Sequence, residues 1–499
     1  MSGFEARDPF TDPIPDSSQH ELEQNATLIV NRNASLTLGT DSLIVLGSQP
    51  TRAIPYYNVL WAELADLEII IRYAHPTAKN VIVVAFISYI VDKSERSRAL
   101  AWIAKLLDSA YGESQRCKRI KVLVNPFGGK GSAPKWFARD IEPIFLAAKC
   151  EVNVERTQFK GHAIEIAEEI NTNDFDVIAC CSGDGLPHEV FNGLGKKPDA
   201  RTALAKLAVV QLPCGTGNAM SWNLNGTDST SLAALAVVKG IRTPMDLVSI
   251  TQGGNRFLSF LSQSFGIIAE CDLGTEHLRW LGDARFTYGF LKRVIGKTLW
   301  PCDLAVKVEI DSKDQIRDHY QAEIDQRASM EERRRQTTLQ NPTISPRLGP
   351  GEALPELRYG TATDPLPEDW HLVPQEKMGN FYCGNMRYMA ADMPFFPAAL
   401  PHDGNMDLVT IDGDISRTAA LGLFLDVAKN RTFDNPLFNY RKITGYRLMP
   451  RGKDGYISID GERVPWATFQ AEVHHGLGTV LSRNGHCFEG PSVPNQSTS

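Results

Sequence analysis

Apolar runs of strand length alternate with helical stretches between Arg119 and Ile250, and this alternation predicts a parallel sheet covered by helices. Parallel neighbours need a crossover of about a dozen residues or more, which a helix supplies. The expected strands are residues 119–124, 150–156, 176–181, 207–212 and 246–250, and the expected helices are residues 133–148, 162–170, 187–194 and 229–239. The glycine-rich turns of this region then each follow a strand.

One of these turns places a carboxylate between two glycines, in the segment Ser182-Gly183-Asp184-Gly185. Glycine on both sides permits positive φ and lets a phosphate or a substrate approach the main chain closely. A tight Asp-Gly turn without any function is the alternative, and the turn by itself does not decide between the two. The turn therefore makes Asp184 a candidate for chemistry.

Two further glycine-rich loops also follow predicted strands, with the sequences NPFGGKGS from Asn125 and LPCGTGNAM from Leu212. Such loops offer backbone N–H groups and a helix N-terminus to anions. The first is not a Walker A loop, because Gly131 follows Lys130 where serine or threonine is required. The second departs from the dinucleotide fingerprint, because Met220 stands at the final glycine position. Lys130 either reaches the anion or points into solvent.

Composition limits the partners and the compartment. The 499-residue chain has a formal net charge of -7 and no long run of lysine and arginine, so we expect no nucleic-acid partner. The nine cysteines form no CxxC pair, which favours buried thiols in a reducing compartment over disulfides or a zinc site. The longest apolar run, residues 81–91, is shorter than the ~20 residues that span a bilayer, and the first residues lack a signal-peptide pattern. We expect a cytoplasmic protein that contacts intracellular or plasma membranes peripherally; its oligomeric state stays open.

Shifts in composition divide the chain into segments. Several short strands followed by one amphipathic helix resemble a pleckstrin-homology-like module, which either binds lipid headgroups or only packs against the rest. A charged and then Pro-, Gly- and Thr-rich stretch has too few apolar residues for a core. The expected segments are a disordered start (1–26), the PH-like module (27–112), the α/β domain (117–255), a mainly β domain (256–310 and 371–488), a disordered insertion (311–370) and a polar tail (489–499).

Five blocks of the chain carry a resemblance to a known family: VLVNPFGGKGSA, SGDGLPHEVFNGL, LPCGTGNAM, FGIIAECDLGTEHLRWLGDARF and SIDGE. They resemble the sphingosine kinases, or sphingoid long-chain base kinases, within the diacylglycerol kinase catalytic superfamily. The resemblance covers residues 117–310 and 375–485. It implies a nucleotide-binding α/β domain related to phosphofructokinase and NAD kinase, then a C-terminal β-sandwich that binds lipid, with ATP and Mg²⁺ in the cleft between them.

The resemblance also implies which residues contact the nucleotide. Two arginines would hold its phosphates, a task that suits a guanidinium fork, unless they are solvated surface charges. Relatives commonly carry two arginines where this chain has Phe159-Lys160, so one guanidinium contact is missing. The residues implied at the ATP site are Asn125, Pro126, Phe127, Thr157, Gln158, Phe159, Lys160, Gly161, Glu189, Gly215, Thr216, Gly217, Arg279, Arg285, Asp460, Gly461 and Glu462. Glu189 has the alternative role of a first-turn helix carboxylate.

The lipid side of the reaction depends on fewer residues. The resemblance makes Asp184 the general base for a primary hydroxyl, flanked at the substrate by Ser182, Gly183 and Gly185. Asp272 matches the residue that pairs with the sphingoid amine, and a buried carboxylate would be costly without such a cation. Its alternative is an exposed acid in an acidic stretch. Ser262 aligns with a residue that hydrogen-bonds the lipid hydroxyl.

Other activities stay open at this point. A kinase for ceramide or for a diacylglycerol-type lipid would share these motifs, and a non-catalytic lipid-binding scaffold is a further alternative. The apolar segment from Phe286 to Trp300 is a lipid gate, a membrane-touching helix or simply core. Asp403 and Asp407 resemble an element that shapes a structural metal site in relatives, and we make no metal assignment here.

Overall fold

The protein is represented by a computed structural model that describes residues 26–31, 34–47, 51–78, 80–129, 131–275, 284–296, 298–336, 353–391 and 393–483. Within its helices, the side chains of residues 284–287, 294–295, 328 and 330–336 are not described. The chain forms two compact units, one of Met1–Arg116 with Leu146–Lys149 and one of Cys117–Phe145 with Cys150–Ser499. The disorder expected for residues 1–25 and the tail expected at 489–499 lie outside the described residues.

In its described residues, the first unit contains two antiparallel sheets, one α-helix and two short 3₁₀ helices at Tyr56–Asn58 and Lys93–Glu95. Four strands form the first sheet and three form the second. One edge strand of the second sheet consists of the long apolar run, at Val81–Ile90. The helix buries Ala99, Trp102 and Leu106 on one face, as expected for an amphipathic helix. The elements are β1 (Thr27–Val30), β2 (Ala34–Leu38), β3 (Ser42–Leu46), β4 (Arg52–Pro55), β5 (Val59–Ala65), β6 (Glu68–Ala78), β7 (Val81–Ile90) and α1 (Arg96–Tyr111).

The second unit begins with a four-stranded parallel sheet in the order β11-β10-β8-β9. Its strands are β8 (Arg119–Val124), β9 (Glu151–Arg156), β10 (Val177–Ser182) and β11 (Ala208–Pro213). Its helices are α2 (Ala133–Trp136), continued by a π-helical turn (Phe137–Ile141) into α3 (Glu142–Ala147), then α4 (His162–Glu169), α5 (Gly185–Lys196), α6 (Ala200–Lys206), α7 (Ala219–Asn225) and α8 (Thr230–Lys239). The predicted α/β rhythm is confirmed, while α6 and α7 were not predicted.

The rest of this unit is an eleven-stranded, mainly antiparallel sheet, in the order β13-β12-β22-β19-β18-β17-β14-β20-β21, with β15 paired to β16 and β19. The strands are β12 (Ile241–Gln252), β13 (Asn255–Ser259), β14 (Ser262–Gly266), β15 (Cys302–Ile310), β16 (Val373–Gln375), β17 (Met378–Gly384), β18 (Met406–Asp412), β19 (Asn439–Pro450), β20 (Ile457–Ile459), β21 (Glu462–Val464) and β22 (Phe469–Ser482). Its helices are α9 (Ile267–Asp272), α10 (Ala284–Gly296), α11 (Lys313–Gln336) and α12 (Arg417–Ala428).

The strand expected at residues 246–250 belongs to this antiparallel sheet and not to the parallel one. It lies within β12, which pairs antiparallel with β13 and β22. The expected boundary at residue 255 is therefore misplaced, and the change of sheet comes before Ile241. The physical reason is that β22 lies more than 200 residues further along the chain, so no local pattern reveals this partner.

The expected disordered insertion at residues 311–370 is ordered in its described parts. Helix α11 buries Ile316 and Tyr320 despite its high charge. The backbone N–H groups of Arg358 and Tyr359 donate to the Glu472 carboxylate at 3.0 and 2.9 Å. A few apolar anchors and one buried carboxylate are enough to hold a segment whose average composition suggests disorder.

One buried core joins the parallel sheet to the antiparallel sheet. It includes Leu123 and Ile178 from the first, Val190 from α5, and Met245 and Leu477 from the second. A shared core of this kind packs densely and moves little, so it holds the loops at the carboxyl ends of the parallel strands at a set distance from the antiparallel sheet. Across the described ranges, none of the helices has both the length and the apolar character that crossing a membrane demands.

Candidate active site

Asp184 occupies the N-cap position of α5, directly after β10. Its carboxylate accepts hydrogen bonds from the backbone N–H groups of Ala219 and Met220 at 3.0 and 2.9 Å and from the Gln211 amide at 3.2 Å. Two of these donors belong to the first turn of α7, whose N-terminus favours a negative charge. The side chain is half-buried and lines a large cavity. The carboxylate is therefore held in one orientation at the cavity wall.

Burial raises the pKa of Asp184 above its ordinary value, although the hydrogen bonds from Met220, Ala219 and Gln211 act against this rise. The negative charge of Asp460 raises the pKa further. A carboxylate with a raised pKa is a stronger proton acceptor than one in water. The environment of Asp184 therefore favours a general base.

The positive φ that glycine permits is not used beside Asp184. The glycines with positive φ include Gly129, Gly131 and Gly161, but neither Gly183 nor Gly185 is among them. A Cβ atom on Gly215 would lie 2.3 Å from Cα of Gly183, whereas one on Gly183 would lie 3.4 Å from Cα of Gly215 and one on Gly185 would lie 3.2 Å from Oε1 of Glu462. The close contact between the Asp184 turn and the third loop therefore requires glycine at position 215.

The first glycine loop packs against the third. The side chain of Asn125 shapes it, since Oδ1 accepts from the N–H groups of Phe127 and Gly128 at 2.9 and 3.1 Å. A Cβ atom on Gly129, which has a φ of 57°, would lie 3.0 Å from the Cys214 carbonyl oxygen. The loops that follow β8 and β11 therefore form one continuous wall of the cavity.

Asn218 closes the third loop, a role that the sequence did not reveal. Its side chain accepts from the Gly215 N–H at 2.9 Å and donates to the Gly215 carbonyl at 3.0 Å, and its φ is 49°. In the described part of the chain, the N–H groups of Thr216 and Gly217 make no hydrogen bond. Unpaired backbone N–H groups beside glycine are what an anion such as a phosphate requires.

The second loop of the resemblance approaches the antiparallel sheet. Thr157 is buried at its start, and Nζ of the exposed Lys160 lies 2.5 Å from Oε2 of Glu462. Glu189 accepts from the N–H groups of Gly161 and Ala163 at 3.0 and 3.2 Å, so it caps α4. Burial raises the pKa of Glu189. The alternative of a first-turn carboxylate was wrong, because α5 begins at Gly185 and has no acidic residue in its first turn. Glu189 caps the neighbouring helix and also lines the cavity.

Asp460 is buried in the turn between β20 and β21, with a φ of 52°. Its carboxylate accepts from the Ser259 hydroxyl at 2.6 Å and from the N–H groups of Phe260, Leu261 and Ser262 at 2.9–3.0 Å. It also contacts Nδ1 of His188 at 2.8 Å. This carboxylate is occupied by protein groups, while its neighbours Gly461 and Glu462 face the cavity.

His188 was missed by sequence reasoning, although it lies within the block that contains Asp184. Burial lowers the pKa of His188, but the hydrogen bond and the charge of Asp460 outweigh burial and hold this pKa above its ordinary value. Burial by itself raises the pKa of Asp460. The hydrogen bond and the charge of His188 outweigh burial, so the pKa of Asp460 lies below its ordinary value. The pair is therefore a charged bridge between α5 and the antiparallel sheet.

A single cavity of about 1450 Å³ connects the glycine loops with an apolar section. The apolar lining includes Ile267, Phe290, Trp300, Met389, Met393, Phe395, Ile411, Leu423, Phe424, Val427 and Phe438. Phe290 of α10 stacks on Phe424 of α12 at 5.1 Å between ring centroids. Such a volume accommodates a nucleotide and a hydrocarbon chain end to end.

Asp272 and Ser262 lie where these two sections meet. Asp272 ends α9, lines the cavity and accepts from the Ser458 hydroxyl at 3.2 Å. The Ser262 hydroxyl donates to that of Tyr382 at 3.4 Å. Tyr382 is a further lining residue that the motifs did not indicate.

The cavity brings together most residues that the resemblance implies. They are Asn125, Phe127, Thr157, Phe159, Lys160, Ser182, Gly183, Asp184, Gly185, Glu189, Gly215, Thr216, Gly217, Ser262, Asp272, Asp460, Gly461 and Glu462. Pro126, Gln158 and Gly161 lie beside it in the loops but do not line it. Lys130 and Arg279 lie outside the described residues, as does the side chain of Arg285, so their roles stay predictions.

Asp403 and Asp407 lie apart from the cavity lining and contact a lysine. Nζ of Lys442 is 2.8 Å from the first carboxylate and 3.1 Å from the second, and all three side chains are buried. Among the side chains that the structure describes, no group of three histidines, cysteines or acids is placed to hold a metal ion. An ammonium thus balances these carboxylates.

Two segments of the chain match known protein families, and a solved structure is similar to it. Residues 119–250 match the family described as diacylglycerol kinase catalytic domain, and residues 26–112 match one described only as a domain of unknown function. A diacylglycerol kinase structure from Bacillus anthracis str. Sterne is 16% identical with a TM-score of 0.48, over 74% of this chain and 98% of that one.

Curated relatives cover more of the chain. Sphingoid long chain base kinase 5 of Saccharomyces cerevisiae is 36% identical over 77% of this chain and 62% of its own length, so this chain spans less than two thirds of that relative. Sphingoid long chain base kinase 4 of Schizosaccharomyces pombe is 31% identical over 86% of this chain and 88% of its own. Sphingosine kinase 1 of Homo sapiens is 29% identical over 75% and 92%. The chain therefore belongs to the family of sphingoid long-chain base kinases and sphingosine kinases.

Proposed function

We propose that this protein transfers the γ-phosphoryl group of ATP to the primary hydroxyl of a sphingoid long-chain base (sphingosine, sphinganine or phytosphingosine) and so forms the 1-phosphate. The observation that carries the proposal is the single cavity, in which Asp184 and the glycine loops lie at a polar section and Asp272 lies where the apolar section begins. The polar section matches a phosphate donor, and the apolar section that begins at Asp272 matches an amine-bearing lipid.

Asp184 acts as the general base. Its carboxylate accepts the hydroxyl proton as the oxygen bonds to phosphorus and the bond to the leaving ADP breaks. The donors from Ala219 and Met220 hold the carboxylate in position, and burial makes it more basic. Such a role accounts for about 10²–10⁴ in rate.

The nucleotide phosphates bind along the glycine loops. The free N–H groups of Thr216 and Gly217 supply hydrogen bonds, and Lys160 supplies a positive charge close by. Arg279 and Arg285 remain predicted phosphate ligands. We propose that Mg²⁺ binds together with ATP as the counterion of its phosphates.

Asp272 selects the lipid by charge. A half-buried carboxylate next to an apolar section is stabilised by an ammonium group, which sphingoid bases carry. Ceramide and diacylglycerol carry no such charge, so they offer no cation to Asp272. Ser262 lines the same cavity as Asp184 and binds a lipid hydroxyl in this proposal.

Peripheral contact with a membrane follows from the need to take up a lipid. Apolar side chains are exposed on both helices that flank the apolar section, Tyr288 and Leu291 on α10 and Leu421 and Leu425 on α12. Side chains of this kind insert among lipid headgroups. The same proposal includes a PH-like module at residues 27–112 and a β-sandwich for the antiparallel sheet. A four-stranded sheet, a three-stranded sheet and the helix that follows them support the PH-like module.

A lipid panel tests the activity directly. Purified full-length protein is incubated with labelled ATP, Mg²⁺ and, in separate reactions, sphinganine, ceramide and diacylglycerol in mixed micelles. We expect transfer to sphinganine at a rate at least about tenfold above that to the neutral lipids. Transfer to ceramide or diacylglycerol instead contradicts the proposed substrate, and transfer to none of them supports a non-catalytic scaffold.

A further inference from the structure

Two polar side chains interrupt the lining of the cavity on one face of strand β17. Asn380 and Tyr382 are separated by two positions, so both point to the same side of the sheet, and both line the cavity. Phe381 and Cys383 point to the other side, where they belong to a separate buried core. The polar pair therefore belongs to the wall that a bound lipid contacts.

The phenol of Tyr382 has a donor without an acceptor. Its oxygen accepts from Ser262 at 3.4 Å, and no described residue accepts its own proton. Burial, together with the charges of Asp272, Asp460 and Asp184, raises the pKa of Tyr382, so the phenol remains a donor at neutral pH. Its ring packs against Phe395 and Phe396 at 4.7 and 5.0 Å between centroids. This packing fixes where the hydroxyl points.

Asn380 also has an unused donor. It is 1% exposed, and its Nδ2 has no hydrogen-bond partner among the described residues. The orientation of the amide is set by the other atom, because Oδ1 accepts from the backbone N–H of Ile268 at 3.4 Å. A buried amide nitrogen without a partner is unfavourable unless a ligand supplies an acceptor.

Tyr382 and Asn380 lie at different distances from Asp272, the proposed partner of the lipid amine. Ile268 and Asp272 lie at opposite ends of α9, about 6 Å apart along the helix axis. Asn380 contacts the first of these ends, whereas Tyr382 experiences the charges of Asp272 and Asp184. A base that binds through its amine therefore meets Tyr382 first and Asn380 further along its chain.

We propose that Tyr382 and Asn380 bind two successive lipid hydroxyls and make a 4-hydroxylated base (4-hydroxysphinganine) the preferred acceptor. Tyr382 donates to the hydroxyl on carbon 3, which all the candidate bases carry. Asn380 donates to the hydroxyl on carbon 4, which sphinganine lacks. This inference rests on the proposed kinase activity and specifies which base that activity selects. A site built to bond a hydroxyl discriminates against the analogue without it, because its donor is left unpaired.

The test compares kcat/KM for 4-hydroxysphinganine and sphinganine with the same enzyme preparation, so the folded fraction cancels in the ratio. We expect a ratio of about ten for the wild-type protein, the effect of one buried hydrogen bond. Asn380→Leu should bring the ratio close to one. Tyr382→Phe should lower kcat/KM for both bases by a similar factor and keep the ratio.

Matched variants remove the same groups away from the cavity. Asn385→Leu removes a buried amide that donates to the Asp246 carbonyl, and Tyr446→Phe removes a buried phenol that donates to Gln263, and neither residue lines the cavity. Both variants should keep the wild-type ratio. Thermal denaturation of each variant identifies loss of folding.

The possible results separate the two proposals. A wild-type ratio near one overturns the inference, whether or not Asn380→Leu folds. A high ratio that survives in Asn380→Leu overturns the assignment of this residue. Phosphorylation of neither base, with transfer to ceramide or diacylglycerol, overturns the proposed function itself.

Discussion

Nδ1 of His188 lies 2.8 Å from Oδ2 of Asp460, and this contact links the helix that follows Asp184 to the turn that carries Glu462. Asp460 in turn binds the backbone from Phe260 to Ser262. The helix that begins after Asp184 and the backbone of residues 260–262 are thus joined through one buried ion pair. We expect this pair to act through position, since its carboxylate is occupied by protein groups.

Removing Asp460 should destabilise the fold. Asp460→Ala leaves His188 buried without its counterion, and breaking a buried pair in this way costs about 3–5 kcal/mol of the free energy of unfolding. Glu462→Gln breaks the exposed pair with Lys160 and should cost about 1 kcal/mol or less. Urea denaturation followed by circular dichroism gives both values. Equal losses in the two variants would contradict the role of Asp460.

The His188 pair also predicts a dependence of stability on pH. Because the folded state raises the pKa of His188, its contribution is fully present below the unfolded value of about 6.5 and is lost as pH rises through the folded value. Glu462 and Glu189 also face His188 and raise its pKa. The melting temperature of the wild type should fall more between pH 6 and pH 9, as an approximate window, than that of His188→Asn. Parallel curves for the two proteins would argue against the pair.

Replacing the base should remove catalysis without removing the fold. The N–H groups of Ala219 and Met220 donate to different oxygens of Asp184, so Asp184→Asn keeps an acceptor for only one of them, and its amide cannot accept the substrate proton. We expect kcat to fall by about 10²–10⁴, with a lower melting temperature but a folded protein. Wild-type turnover by the purified variant would remove Asp184 from the mechanism.

Asp272 should affect the lipid and not the nucleotide. Asp272→Asn keeps the size of the side chain and loses the charge that pairs with an amine, so KM for sphinganine should rise by about tenfold or more. The KM for ATP measured in the same assay is the internal control and should change less than about twofold. Similar increases in both constants would show that the variant disturbs the cavity as a whole.

Lys160 takes the place of a guanidinium at the mouth of the cavity. Lys160→Met should raise KM for ATP by about tenfold, and Lys160→Arg should lower it below the wild-type value, because a guanidinium fork binds phosphate with two hydrogen bonds. Lys121→Met breaks a comparable ion pair with Glu155 outside the cavity and serves as the control. If all three variants share the wild-type KM, Lys160 only pairs with Glu462.

Local pattern predicts the parallel half of the fold well. The alternation predicts both ends of β8 and places β10 within one residue, because each strand is a short apolar run that ends at a glycine turn. The three glycine loops are likewise visible as contiguous motifs. The family resemblance then names Asp184 and Asp272, both of which line the cavity.

Contacts between segments that are distant along the chain cannot be predicted from such local patterns. Strand β12 pairs with β22, His188 with Asp460 and Lys160 with Glu462, and each of these contacts joins residues that are more than 200 positions apart. A local window holds only one partner of each pair. For the same reason the charged sequence of α11 suggests disorder, because a local window does not contain the segments that bury Ile316 and Tyr320.

The sequence by itself determined the glycine loops, the acid between two glycines and the family, because these depend on residues that are neighbours along the chain. Only the tertiary structure decided that Asp460 binds His188 and the backbone, that contact with Gly183 requires glycine at position 215, and that Asn380 and Tyr382 line the same cavity as Asp184. These properties depend on burial and on which groups are left without a partner. Both are set by the packing of distant segments against each other.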